Sequence, residues 1–186
     1  MKNLLIFLGV VGGIILLFVM YMNNVYNTAV KYDEETKARW SDVGASYQRR
    51  ADLIPGLIAT VKGAAANEKD ILGSVTALRS GISAAQTPED FDEIAKKINT
   101  AINITMEAYP QIRSTENFQT FQAQLEGTEN RITHERMAFN EAALAFNARR
   151  ESFPTVIIAG FFGDKFKDKA YFKSQAGAER APEVKF

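Results

Sequence analysis

The chain has 186 residues, of which 46% are hydrophobic, and its 22 basic and 22 acidic side chains give a formal net charge of zero. A neutral chain has no excess of positive charge for binding nucleic acid, and we expect no nucleic-acid partner. Because it has no cysteine, disulfides, thiolate nucleophiles and cysteine metal ligands are excluded.

An unbroken apolar run extends from Leu4 to Met22. As a helix it would cover roughly 28 Å, which is enough to cross the hydrocarbon core of a bilayer. No small-residue cleavage motif follows it, so residues 1–23 are interpreted as a retained membrane anchor. Lys2 precedes the run, whereas residues 23–30 carry no charge, which favours the following domain on the outer side of the membrane.

The anchor contains Gly9, Gly12 and Gly13, with Gly9 and Gly13 one helical turn apart. Small residues at this spacing allow helix backbones to approach closely, so we expect a homo-oligomer that packs through this face. Glycine is also common in membrane helices that make no such contact, and the sequence leaves both interpretations open.

Beyond the anchor, apolar residues recur every three or four positions, which predicts helices. One helical face carries Val25, Ala29, Tyr32, Thr36, Trp40, Val43 and Tyr47, and a second carries Leu57, Val61, Ala64, Glu68, Ile71, Val75, Leu78 and Ile82. Between these faces, Asp52 can cap a new helix whose first turn tolerates Pro55. The chain therefore either turns at this point or contains one long, kinked helix.

Thr87 and Pro88 mark another helix start, since they supply a capping hydroxyl and a first-turn proline. The buried face expected for that helix is Phe91, Ile94, Ile98, Ile102, Thr105 and Tyr109. Ser114 or Thr115 can cap a last long helix that ends near Pro154. Its expected face is Phe118, Phe121, Leu125, Thr128, Ile132, Glu135, Phe139, Ala142 and Phe146.

Four amphipathic segments with short connections predict an all-α fold, in which a transmembrane helix precedes an antiparallel four-helix bundle with long helices. The expected regions are the anchor over 1–23, the bundle over 24–154 and a tail over 155–186. If Pro55 only kinks its helix, a three-helix bundle with a kinked first helix is the alternative.

Several short motifs follow one another along these helices. The most specific are the runs 49–55 (RRADLIP) and 128–132 (TENRI), and the others include Trp40-Ser41, Ala108-Tyr109-Pro110, Glu116-Asn117-Phe118, Phe139-Asn140 and Phe146-Asn147. Together they resemble the LemA family of bacterial single-pass membrane proteins, although Phe139 and Phe146 replace expected tyrosines. The resemblance implies a helical bundle behind a membrane helix in the bacterial cell membrane, with no established enzyme activity.

Polar residues within these motifs predict a cross-helix network that sets the register of the bundle. Its expected members are Arg49, Arg50, Asp52 and Pro55 at the helix break, and Glu116, Glu129, Asn130 and Arg131 on the last helix. Arginine suits this role because its guanidinium makes charge-assisted, bidentate hydrogen bonds. The alternative is a recognition patch for a partner at the break.

The residues that catalysis commonly uses are scarce, and we expect no enzyme activity, cofactor or metal site. His134 is the only histidine, and the Glu135 beside it does not complete a zinc motif because residue 138 is alanine. Arg131 occupies the position that a di-iron Glu-x-x-His motif would need for its carboxylate. Gly160 to Gly163 lack the Lys-Ser/Thr ending of a phosphate-binding loop.

The tail combines an apolar stretch with alternating aromatic and basic residues. Candidate membrane-surface contacts are Phe161, Phe162, Lys165, Phe166, Lys167, Tyr171 and Phe172. Such residues can lie at a lipid headgroup surface. Alternatively, the apolar part folds back on the bundle.

Two functions remain in play. The first is a non-enzymatic, membrane-anchored protein that self-assembles as a scaffold or organiser of the envelope. The second is an adaptor or sensor that binds another membrane protein or a ligand near the break at 49–55. The expected partners are accordingly the lipid bilayer, further copies of the chain and, in the second case, a membrane protein.

Overall fold

The computed structural model describes residues 2–59, 68–110, 116–163 and 165–173. Six helices fall in these ranges: α1 (Lys2–Ala51), α2 (Leu53–Ala59), α3 (Glu68–Ala84), α4 (Pro88–Ala108), α5 (Glu116–Glu151) and α6 (Thr155–Phe161). The described part of the chain contains no strand. The prediction of an all-α fold is confirmed.

The first part of α1 is the one helix in the described ranges that is long and apolar enough to cross a membrane. Apart from the half-buried Val11, its large apolar side chains between Leu4 and Tyr21 are each 54–68% exposed. None of the apolar window is buried inside the protein. A helix that is apolar on every side and exposed in this way is typical of a span surrounded by lipid. This agrees with the predicted anchor. The boundary predicted after residue 23 lies inside α1, which continues to Ala51.

The chain divides into two compact units, to which α1 and α5 both contribute. The anchored unit comprises residues 1–38 and 141–169, and the helical unit comprises residues 39–140 and 170–186. The core of the anchored unit consists of Val25 and Ala29 from α1, Phe146 from α5, Ile158 and Ala159 from α6, and Phe166 from the tail.

In the helical unit, α3 packs against α4, and α2 contacts both of them. The ring of Tyr47 in α1 stacks on Phe91 in α4, with 4.9 Å between ring centroids. Trp40 of α1 lies 5.1 Å from the ring of Phe139 in α5. Aromatic pairs at these separations contribute beyond the area that they bury, so they join α1 to both α4 and α5.

Between α1 and α2, helical geometry is interrupted at the single residue Asp52. The Asp52 amide still donates a 2.9 Å hydrogen bond to the Gln48 carbonyl, so helical hydrogen bonding extends up to this residue. Pro55 explains the interruption, because a proline ring clashes with the carbonyl four residues earlier, here that of Ala51. The interruption is thus a local break at the predicted position.

The start of α4 follows the predicted pattern. The Thr87 hydroxyl accepts from the Asp90 amide, and the Asp90 carboxylate accepts from the Thr87 amide, which together form a capping box. All six residues of the expected face, from Phe91 to Tyr109, are buried. The proposed caps of α5, Ser114 and Thr115, lie outside the described residues.

Candidate functional site

Arg50 is the centre of a polar network that joins three helices of the helical unit. Its side chain is only 9% exposed, and its guanidinium forms an ion pair with the Glu129 carboxylate of α5. A second guanidinium nitrogen donates a 2.9 Å hydrogen bond to the side-chain oxygen of Asn99 in α4. Arg50 therefore links α1 to both α4 and α5.

Asp52 makes a separate contact at the same break. The Nε and Nη2 atoms of Arg79, on α3, donate to one Asp52 oxygen over 2.9 and 2.7 Å. Both side chains are more than 40% exposed, so solvent weakens the pair. A cleft lined by residues of α2 and α5, among them Gly56 and Gln124, opens beside Asp52.

The other predicted network residues are placed differently. Arg49 and Asn130 are exposed, and Pro55 is half-buried in the first turn of α2. Arg131 pairs within its own helix, 2.6 Å from the buried carboxylate of Glu135. The side chain of Glu116 lies outside the described residues. The structure thus brings Arg50 and Glu129 together and adds Asn99 and Arg79, which the sequence analysis did not identify.

The tail residues of the helical unit dock on α5. The Asn140 side-chain amide donates to the Phe172 carbonyl and accepts from the Phe172 amide, each over 2.9 Å. The Phe172 ring stacks 5.8 Å from Trp40, and the Arg136 guanidinium lies 4.5 Å from its centroid. Arg136 also pairs with Asp92 of α4 over 2.6 Å. One phenylalanine therefore completes the aromatic core between α1, α4 and α5.

In the anchored unit, a second asparagine of α5 forms the same pair of hydrogen bonds to a backbone residue of the tail. Asn147 donates to the Lys169 carbonyl over 2.9 Å and accepts from the Lys169 amide over 3.0 Å. Arg150 donates to the Phe166 carbonyl and to the Asp168 carboxylate, both over 2.6 Å. Because a side-chain amide pairs with backbone groups, each asparagine fixes the tail whatever side chain the tail residue carries.

Asp33 is the most deeply buried charge in the described part of the anchored unit, at 1% exposure. Its two oxygens lie 2.6 Å from the Lys169 ammonium and 2.8 Å from that of Lys37. Burial by itself raises the pKa of the Asp33 carboxyl, but the two ammonium groups outweigh burial and hold that pKa below its ordinary value. A charged Asp33 therefore ties the tail to α1.

The candidate membrane-surface residues fall into two groups. Phe166 and Phe172 are buried at 1% and 6% exposure, so they belong to the protein core and not to a lipid surface. Phe161 and Phe162 are 84% and 49% exposed, and Tyr171 is 39% exposed. Lys165 and Lys167 are exposed as well. Some of these tail residues, Phe166 and Phe172, are therefore packed in the protein core, whereas Phe161, Phe162 and Tyr171 remain available for a lipid surface.

The glycines of the anchor face open space. A methyl group added at Gly9, Gly12 or Gly13 would meet no atom within 4 Å.

His134 is exposed on α5. Within the described ranges, no group of three histidine, aspartate or glutamate side chains is arranged to hold a metal ion.

A sequence model described as the LemA family matches residues 39–186 of the chain. The chain belongs to the LemA family. This confirms the resemblance found in the sequence motifs. No curated protein matches the chain as a relative. The part matched to the LemA family contains the Arg50 network and the docked tail, whereas the apolar span precedes it.

Two asparagines of this LemA protein that lie in the family motifs bind the backbone of the tail. The pairs Phe139-Asn140 and Phe146-Asn147 contributed to the resemblance without a stated role. In the structure, both phenylalanines are core residues and both asparagines hold the tail. The signal available in the sequence was the repetition of Phe-Asn at an interval of two helical turns.

Proposed function

We propose that this LemA protein is a non-enzymatic, membrane-anchored scaffold that self-assembles to organise the bacterial envelope. The observation that carries the proposal is the anchor itself, a largely exposed apolar helix in which a methyl group added at Gly9 or Gly13 would meet no atom within 4 Å. Small residues on one face of a membrane helix favour close helix packing. Copies of the chain are the partners that this face suits.

A structural role for the soluble part is supported by how its charged side chains are used. Arg50 with Glu129, Arg79 with Asp52, and Arg136 with Asp92 each join two helices. We propose that four helices form the antiparallel bundle. These are α1 continued by α2, then α3, α4 and α5. The contacts of Tyr47 and Trp40 and the packing of α3 on α4 support this arrangement.

We place the soluble part on the outer side of the cell membrane, because Lys2 stands next to the span at its amino end. The chain lacks cysteine, so a single cysteine at the exposed Asp42 gives an unambiguous probe. Labelling of Asp42→Cys by a membrane-impermeant maleimide in spheroplasts is expected. Labelling only after lysis would reverse the orientation.

The test of self-assembly is the particle mass and shape of the full-length protein extracted in native lipid discs. We expect large, regular assemblies that become small when both Gly9 and Gly13 are replaced by leucine, because leucine prevents close backbone approach. The matched control replaces Val10 and Val19 by leucine, which adds the same side chain where no glycine stands. Wild-type particles that contain one copy would refute the scaffold.

An adaptor function is the second candidate, and the cleft beside Asp52, between α2 and α5, is the observation that favours it. A partner side chain or ligand could contact residues near the break there. Replacing Gly56 by tryptophan would place a large ring in the cleft that Gly56 lines, and a Cβ atom at this position meets no atom within 4 Å. Gly127, which is equally open, provides the control. We expect a stoichiometric partner, identified in native discs, to be lost from Gly56→Trp alone.

A further inference from the structure

α6 lies beside the turns of α1 that follow the span, within the anchored unit. Ile158 of α6 shares a core with Val25, and Met22, the last residue of the span, packs against the same core. The ring of Phe162 is 5.3 Å from that of Tyr26. Because an α-helix rises 1.5 Å per residue, Tyr26 lies about 6 Å along the helix beyond Met22. With Met22 at the end of the hydrocarbon core, Tyr26 lies in the adjoining headgroup layer, which is about 5–8 Å thick.

The face of α6 that does not touch α1 is apolar. Val156 and Ile157 are 47% and 46% exposed, Phe161 is 84% exposed, and Phe153 just before the helix is 78% exposed. The stretch 154–163 contains no charged residue. Large apolar side chains grouped in this way mark a surface that contacts something other than water.

A cation and a tyrosine stand at the edge of this face. The Lys165 ammonium lies 2.6 Å from the Tyr26 hydroxyl and 5.0 Å from the centroid of its ring. Lysine and tyrosine are suited to the membrane interface because each combines an apolar body with a polar end. Lys165 is exposed, and its charge complements the phosphates of lipid headgroups.

We infer that α6 is an interfacial helix that inserts its outer face into the bilayer beside the span, with Phe153, Ile157 and Phe161 among the acyl chains and Lys165 at the phosphates. The inference rests on the proposed anchor. Lipid is the occupant because Met22, the last residue of the span, packs against the core that holds α6, so α6 lies at the end of the segment that lipid surrounds. The protein therefore contacts the membrane through two elements.

The absence of cysteine allows single-cysteine probes in the full-length protein in lipid nanodiscs. An environment-sensitive fluorophore is attached to Phe161→Cys, and its quenching by lipids that carry a quencher on the acyl chain is measured. Val19→Cys, within the span, is the positive control. Glu34→Cys is the negative control, since Glu34 lies about 18 Å along α1 from Met22. We expect quenching at residue 161 to approach that at residue 19 and to exceed that at residue 34 several-fold.

Quenching at residue 161 no greater than at residue 34, with residue 19 quenched, would overturn the inference and leave the anchor in place. A label at residue 161 with blue-shifted emission but no lipid quenching would overturn it too, because protein would then cover this face. Absence of quenching at residue 19 would refute the anchor itself. Labelled Val156→Cys, on the same face, repeats the test without altering Phe161.

Discussion

Asn140 holds Phe172 through both of the backbone polar groups of that residue, which leaves the aromatic ring free to enter the core. The side-chain amide acts as a short substitute for a neighbouring strand, because it donates once and accepts once. We predict that Asn140→Asp destabilises the protein by about 1–3 kcal/mol, since a carboxylate cannot donate to the Phe172 carbonyl. Urea unfolding of the full-length protein in micelles measures the change.

The control for Asn140→Asp is Asn130→Asp, which makes the same change at an exposed position of α5. An exposed substitution is expected to alter the free energy of unfolding by no more than about 0.5 kcal/mol. Equal effects of the two substitutions would show that the hydrogen bonds to the tail do not stabilise the protein.

Arg50 and Arg49 are adjacent arginines with different environments. Arg50→Ala removes the partner of Glu129 and Asn99, and we expect a loss of about 2–3 kcal/mol. Arg49→Ala, at an exposed position, is expected to cost less than about 0.5 kcal/mol. Thermal unfolding of both variants under the same conditions tests this. If Arg50→Ala lowers the free energy of unfolding by less than Arg49→Ala does, the contacts of Arg50 with Glu129 and Asn99 do not stabilise the protein.

The ion pairs of the buried Asp33 carboxylate with Lys37 and Lys169 are expected to be sensitive to acid. The pKa of its carboxyl is lower in the folded protein than the ordinary value of 3.8, so the unfolded chain takes up the proton first as pH falls. The stabilisation is therefore complete above the ordinary pKa and is lost as pH falls through the folded pKa. We expect Asp33→Asn to be less stable than wild type near neutrality.

The measurement for Asp33 is the unfolding midpoint between pH 7 and the acid range, compared in wild type, Asp33→Asn and Asp42→Asn. Wild type should lose stability in acid relative to Asp33→Asn, so the two curves converge. Asp42, which is about half exposed, serves as the matched carboxylate and its variant should follow wild type. Parallel curves for wild type and Asp33→Asn would contradict the proposed ion pairs with Lys169 and Lys37.

Trp40 is the one tryptophan of the chain and reports on the docked tail. Its ring lies 4.8 Å from Phe91, 5.1 Å from Phe139 and 5.8 Å from Phe172. We predict that Phe172→Ala shifts Trp40 emission to longer wavelength and destabilises the protein by roughly 3 kcal/mol, because a large buried ring is removed. Tyr171→Ala is the control, and an equal shift in that variant would show that Trp40 does not sense Phe172 specifically.

The sequence was most informative where interactions are local. The spacing of apolar residues predicted the buried face of α4, and Thr87 with Pro88 predicted its start, because periodicity and capping act within one helix. Contacts between distant residues left no such signal. Nothing near Asp33 indicates that Lys169 approaches it, and Asp33 would ordinarily be placed on the solvent side of α1.

The polar contacts of Arg50 and Asp52 at the helix break show the same limit. The sequence identified Arg50 and Glu129 through motifs, whereas Asn99 and Arg79 lie in segments with ordinary polar surfaces. Their roles depend on how α3 and α4 are positioned beside α1, which is a property of the whole unit. Phe166 and Phe172 were likewise hard to place, because alternating aromatic and basic residues suit a lipid surface as well as a core.

Because α1 is one continuous helix, the angle around its axis between the glycine face of the span and the face that packs on α6 is fixed. Since each residue of an α-helix turns by about 100°, Gly9 and Val25 point roughly 160° apart around the axis, and so do Gly13 and Ala29. Val25 and Ala29 face α6. Two chains joined back to back along their glycines would thus carry their α6 helices on the outer flanks of the pair, where each extra helix widens the footprint of the protein in the bilayer.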